Sequence, residues 1–286
     1  DEISADKHLP NAFFSIFSLY PFLEVFHLSA TSWDGITPAK LWVGFANFKD
    51  LFSDNPAFWH SMRNSFFVTF LARTVQNFLA LLLALFCDQD IKGGHIYRVI
   101  FYVPPVLSGI VVGLIWNWIY DGNYGLLNHF LAFIGLGDLS RAWLADPKTA
   151  LLAVSAIHMW KGFGWGFVIL LAGLQSIPRE LYEAGRVDGA NRWVLFKSIT
   201  VPLMIPVFIL VSILTILGTM QIFDIIIATT GGGPGYHTEV PVTRIVSTMI
   251  GSSQFGYACA MGVVFGVILL AISLVQVRVS RMMRQV

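Results

Sequence analysis

The sequence predicts an all-α integral membrane protein, a six-transmembrane-helix bundle forming one domain over residues 1–286, with a polar helix–turn–helix set into it. Three observations carry that prediction. Hydrophobic residues make up 56% of the chain and charged residues only 12%, with a mean hydropathy of +0.68. A soluble domain carries about 25% charged residues, so too little polar surface is left to coat a water-soluble globule. Six apolar stretches are long enough for the roughly 20 residues a helix needs to cross hydrocarbon. A single charged island, residues 176–202, separates the fourth from the fifth.

The predicted spans are 9–30, 65–87, 99–120, 150–172, 203–229 and 257–277. The first is interrupted by Glu24 and His27. The third contains Pro104-Pro105 and the fifth Pro206, which predict kinks, since neighbouring helices can satisfy carbonyls that a proline frees. Continuous apolar runs lack the alternation of a transmembrane β-barrel. The chain opens at Asp1 without a basic stretch before the first apolar run, so no signal peptide is read, and the natural start is expected upstream.

Lys and Arg set the expected orientation. With the N-terminus inside, the inner segments hold Lys7, Lys92, Arg98, Arg179, Arg186, Arg192, Lys197, Arg278, Arg281 and Arg284. The longer outer loops hold Lys40, Lys49, Arg63, Arg141, Lys148 and Arg244. The higher inner density places both termini and the charged island on the cytoplasmic side. A formal net charge of +1 with no basic stripe gives nucleic acid nothing to bind. Cys87 and Cys259 lie in or beside apolar segments and read as small buried hydrophobes. The seven histidines show no metal-ligand spacing, and no G-x-S-x-G elbow is present. The Gly231-Gly232-Gly233 run lacks the lysine of a phosphate loop and reads as a flexible outer turn.

The island has its own pattern. Pro178 suits a first helical turn, and Glu180 there complements the helix dipole. Leu181, Ala184 and Val187 recur at helical spacing as an apolar face. Asp188-Gly189 breaks the helix. A second short helix follows with Trp193, Phe196 and Ile199 on one face and Arg192 and Lys197 toward water, and Pro202 closes it. Spacing alone does not choose between an interfacial hairpin that caps the bundle and a docking element.

Glu183-Ala184, Asp188-Gly189-Ala190, Phe196, Ile199 and Pro202 resemble the cytoplasmic loop of type I ABC importer permeases. Leu174-Gln175-Ser176-Ile177-Pro178-Arg179-Glu180-Leu181-Tyr182 is similar to the carbohydrate branch, of maltose and glycerol-phosphate type. So are Gly44-Phe45-Ala46-Asn47-Phe48, Gly125-Leu126-Leu127-Asn128, Phe223-Asp224 and Thr230-Gly231-Gly232-Gly233-Pro234-Gly235. Gly185 stands where the family usually has a second alanine, which should loosen the helix by about 1 kcal/mol. The resemblance implies that Glu183, Ala184, Gly185, Asp188, Gly189, Ala190 and Pro202 couple the bundle to an ATP-binding subunit. It implies a second homologous permease, two copies of the ATP-binding subunit and an extracytoplasmic solute-binding protein in a bacterial or archaeal inner membrane. ATP and Mg would sit on the partner subunits, with no cofactor on this chain and no enzymatic activity of its own.

The expected cargo is a sugar, oligosaccharide or polyol derivative. Ionisable groups inside spans point to function by default, and here they are Glu24, Arg73, Lys161 and Asp224. Pairing of these acids and bases between helices is the plainer reading. A sugar pathway needs aromatic faces with amide, acid and hydroxyl partners. Trp116, Asn117, Trp160, Lys161, Gln221 and Asp224 supply that palette, with Trp165 and Thr219 nearby. A stand-alone secondary transporter or channel is the alternative. It would leave the charged island unexplained.

Overall fold

The computed structural model describes residues 13–89 and 93–283, and the start of the first predicted span, together with Lys7, Lys92 and Arg284, lies outside them. Among the described residues the protein is helical, with one isolated antiparallel bridge between Thr31 and Trp42 and no strand. In chain order the helices are α1 (Tyr20–Ser29, entered through a wide π-turn at Ser15–Leu19), α2 (Ala46–Ser53) and α3 (Pro56–Cys87). Then come α4 (Gly94–Val106), α5 (Gly109–Ile119), α6 (Leu126–Phe133), α7 (Ala150–Gln175) and α8 (Arg179–Val187). Last are α9 (Arg192–Met220), α10 (Asp224–Thr229), α11 (Pro241–Val246) and α12 (Phe255–Met283).

Four described helices, α3, α7, α9 and α12, are long and apolar enough to cross a membrane, and α4 with α5 would make a fifth span. Only 17% of the most apolar window of α9 is buried, against 50% for α7. An apolar helix whose side chains mostly point away from the protein is what lipid as solvent demands, whereas α7 is the central post.

The third and fifth predicted spans change. Residues 99–120 are not one helix: α4 and α5 meet at 98°, because Leu107 and Ser108 are extended. Pro104 and Pro105 remain inside α4, where they leave the Ile100 and Phe101 carbonyls without helical N–H partners, and the break falls just after them. The fifth helix starts at Arg192, stops at Met220 and resumes only at Asp224, so 203–229 is too late at one end and too long at the other.

By internal packing the described chain forms two compact units. One comprises the residues up to Met62 with Val240–Leu270. Within it Asn47 Nδ2 donates to the carbonyls of Ser29 (2.8 Å) and Thr31 (2.9 Å), and Asn55 Nδ2 donates to the Tyr257 hydroxyl at 2.8 Å. Glu24 pairs with Lys40 at 2.7 Å, so this acid is answered by a loop lysine.

The other unit runs from Arg63 to Glu239 and from Ala271 onward. Its core stacks Ala80, Ala84 and Cys87 of α3 against Phe167, Leu170 and Leu174 of α7, and Met204 and Val211 of α9. Small residues set the spacing: a Cβ on Gly173 would stand 2.8 Å from Val207, and one on Gly162 would stand 2.9 Å from the Gln76 amide. Arg73 donates to the Ser212 hydroxyl, which ties α3 to α9.

The glycine-rich turn is pinned, contrary to the expected flexibility. Thr238 Oγ1 donates to the Gly233 carbonyl at 2.6 Å, and Asn64 Nδ2 donates to the carbonyls of His237 (3.0 Å) and Glu239 (2.9 Å). A buried asparagine amide can satisfy two carbonyls at once, which closes a turn that glycine alone would leave loose.

Candidate functional site

The charged island folds as two helices joined by a tight turn. Pro178 precedes α8 rather than opening it, and Glu180 lies in the first turn. The turn is a Schellman motif: Ala190 N–H reaches the Gly185 carbonyl at 2.9 Å and Gly189 N–H reaches the Arg186 carbonyl at 3.0 Å. Gly189 takes φ +80°, the left-handed conformation this motif requires. Asn191 then caps the next helix, its Oδ1 accepting from Val194 N–H at 3.0 Å. That cap was readable as an asparagine before a helical run and was missed.

Two features differ from expectation. Pro202 does not close the second helix: it sits in the first turn of the regular α-helical part of α9, after a π-turn at Phe196–Thr200. The wider turn re-routes the ladder around a residue that has no N–H. The inward face of α8 is also not Leu181, Ala184 and Val187, which are all exposed. Tyr182 and Gly185 point inward instead. The Tyr182 hydroxyl meets Thr200 Oγ1 at 2.9 Å, and Gly185 receives Leu195. Val187, 88% exposed, and Trp193, 68% exposed and stacked on Phe196 at 5.9 Å between centroids, thus lie on the outside of the hairpin.

The second site is a cavity of about 460 Å³ among α3, α7, α9 and α10. Lys161, Gln221 and Asp224 line it together, with Trp165 as its aromatic wall. Lys161 and Asp224 share the space without forming an ion pair, so both charges stay available to a ligand. Asp224 lies at the break between α9 and α10, with its carboxylate packed on Gly109.

His158, Gln76, Thr215 and Thr219 also line this cavity. His158 Nε2 and Thr219 Oγ1 lie 3.0 Å apart. Gln76 closes the π-turn Ala72–Gln76, which sends Gln76 into the cavity and Arg73 toward Ser212. Screening the spans for neutral polar side chains as well as formal charges would have found His158 and Gln76.

Trp116, Asn117 and Trp160 lie outside this lining. Trp116 and Trp160 pack edge to face at 5.6 Å between centroids. Asn117 Nδ2 donates to the Ala228 carbonyl at 2.8 Å and thereby staples α5 to α10.

Comparison with known proteins agrees with this architecture. Residues 76–285 match the family described as binding-protein-dependent transport system inner membrane component. A probable ABC transporter permease protein, YurN of Bacillus subtilis, is 34% identical over 272 residues, covering 94% of this chain and 93% of its own. The trehalose/maltose transport system permease protein MalF of Thermococcus litoralis is 32% identical, covering 94% and 90% respectively. A crystal structure of a bacterial ABC transporter involved in import of the acidic polysaccharide alginate superimposes with a TM-score of 0.85 at 25% identity. It covers 98% of this chain and 96% of that one.

Proposed function

Because the chain belongs to the binding-protein-dependent transport system inner membrane component family, we propose that its hairpin and its cavity are the coupling joint and part of the pathway of an ATP-driven importer for a sugar, oligosaccharide or polyol derivative. The chain is a multi-pass membrane permease and works with a solute-binding protein. A second homologous permease would complete the pathway. Two copies of an ATP-binding subunit would hold ATP and Mg and perform the hydrolysis. The excess of Lys and Arg in the inner segments supports placing both termini and the hairpin in the cytoplasm of a bacterial or archaeal cell.

One observation carries the coupling role: Val187 and Trp193 are exposed on a hairpin closed by a left-handed glycine. A rigid polar hairpin with apolar residues on its outer surface is suited to docking in a protein groove. Glu183, Ala184, Gly185, Asp188, Gly189 and Ala190 form the moving element, and Pro202 lies in the first turn of the regular α-helical part of α9, which conveys its motion. When the ATPase dimer closes, the hairpin moves with it, and α9 leads that displacement to Gln221 and Asp224 at the cavity.

In the cavity, Trp165 offers an apolar face to a sugar ring. Gln221 and His158 offer hydrogen bonds, and Lys161 and Asp224 offer charge-assisted ones to hydroxyls. The named relatives transport trehalose/maltose in one case and an acidic polysaccharide in another, which supports a carbohydrate cargo.

Reconstitution into liposomes tests the reading. The chain alone should move no solute, and adding the second permease, the ATP-binding subunit and a loaded binding protein should give ATP-dependent uptake. Uptake by the chain alone would sink the proposal.

A further inference from the structure

A separate recess of about 700 Å³ opens where α3 and α7 end and α8 begins. Arg98 of α4 and Arg179 and Arg186 of α8 line it, with Asp88 and Glu183 as the opposing acids. Among the described residues, Arg179, Arg186 and Glu183 form no ion pair, although they share one recess. Arg98 gives one Nη to the Cys87 carbonyl at 3.2 Å, while its Nε is buried with no hydrogen-bond partner. A guanidinium carries five donors and no acceptor, so Arg98 keeps terminal N–H groups beyond the one given to Cys87 for an oxygen in the recess. Ile177, itself buried, adds an apolar wall at the depth where two spans stop.

We propose that this recess binds the phosphate group of an anionic ligand, with Arg98 as the central donor and Arg179 and Arg186 flanking it. Planar guanidinium groups match phosphate oxygens bidentately, and basic recesses at helix ends suit anionic headgroups. Either an anionic phospholipid or free phosphate supplies that group. Glu183 opposes the anion and limits its affinity. The site stands on its own geometry and does not depend on the transport reading. Occupancy would fasten α8 to α4 through the ligand.

Native mass spectrometry of the whole chain in a nonionic detergent tests this, with phosphatidylglycerol and inorganic phosphate as probes. Arg98→Gln should weaken phosphatidylglycerol retention at least about tenfold, the scale of one charge-assisted hydrogen-bond pair. Glu183→Gln should strengthen it, which keeps the test informative if the arginine variant fails to fold. Displacement of the lipid by inorganic phosphate, or phosphate binding without lipid, would support the site and identify free phosphate as sufficient. Retention of lipid in excess phosphate would support it as a headgroup site. Equal lipid retention and equal phosphate affinity in the wild type and both variants would overturn it.

Discussion

Leu195 closes directly over Gly185: a Cβ at position 185 would stand 2.6 Å from its Cδ2 and 3.4 Å from the Cδ1 of Ile199. The position that departs from the family alanine is therefore where the two hairpin helices touch. The lost helix propensity, about 1 kcal/mol, is set against burial of Leu195, which is 7% exposed.

Gly185→Ala should be tolerated, because the group in the way is the end of a flexible leucine side chain. Gly185→Leu should force the helices apart and uncouple ATP hydrolysis from uptake, and adding Leu195→Ala should restore part of the coupling. Uptake and ATPase rates of the reconstituted complex give the answer.

Gly189 is constrained by its backbone alone, since nothing lies within 4 Å of a Cβ there while φ is +80°. Gly189→Asn should be nearly neutral, because asparagine accepts the left-handed conformation. Gly189→Val should cost about 1–2 kcal/mol locally and lower coupled uptake. Gly189→Pro should abolish uptake, since it also removes the N–H that reaches the Arg186 carbonyl. Equal uptake by all three would remove the turn from the account.

Lys161→Ala and Asp224→Asn should each reduce substrate-dependent uptake by at least about tenfold, the worth of a charge-assisted hydrogen bond. The assembled complex should still hydrolyse ATP at its basal rate. Gln221→Ala should have a smaller effect, because that amide also donates to the Leu217 carbonyl at 3.2 Å.

Asn117→Ala should behave differently from the cavity variants. It orphans the Ala228 carbonyl and should destabilise the chain by about 1–3 kcal/mol. A lower melting temperature with unchanged substrate affinity is the expected signature, and a shifted affinity with unchanged melting would return Asn117 to the pathway.

The hairpin was legible in the sequence because local chemistry determines it. Glu180 in the first turn and Gly189 at the stop act within a few residues, as does the Asn191 cap that was missed. The inward face of α8 was misjudged, since Leu181, Ala184 and Val187 look like a core stripe to periodicity alone. Only packing against Leu195 and Thr200 shows that Gly185 and Tyr182 face in. Pro104-Pro105 signalled a kink in the third span, but the unbroken apolar composition on both sides did not show that the chain breaks by 98° at Leu107-Ser108. Asn117 looked like a ligand group beside two tryptophans, and its acceptor lies 111 residues away in the chain. The cavity was half legible: charges in spans pointed to Lys161 and Asp224. His158 and Gln76 carry no formal charge to attract notice in an apolar run.

Retention of the ATP-binding subunits on a Val187→Asp variant tests the coupling joint most directly. Val187 is 88% exposed, so the substitution should leave the chain folded and inserted in the membrane. Seated in an apolar groove, the new carboxylate would be an unpaired buried charge. The ATP-binding subunits should then separate from the permease on size exclusion, with loss of ATP-driven uptake. Full retention of those subunits together with normal uptake would contradict the account.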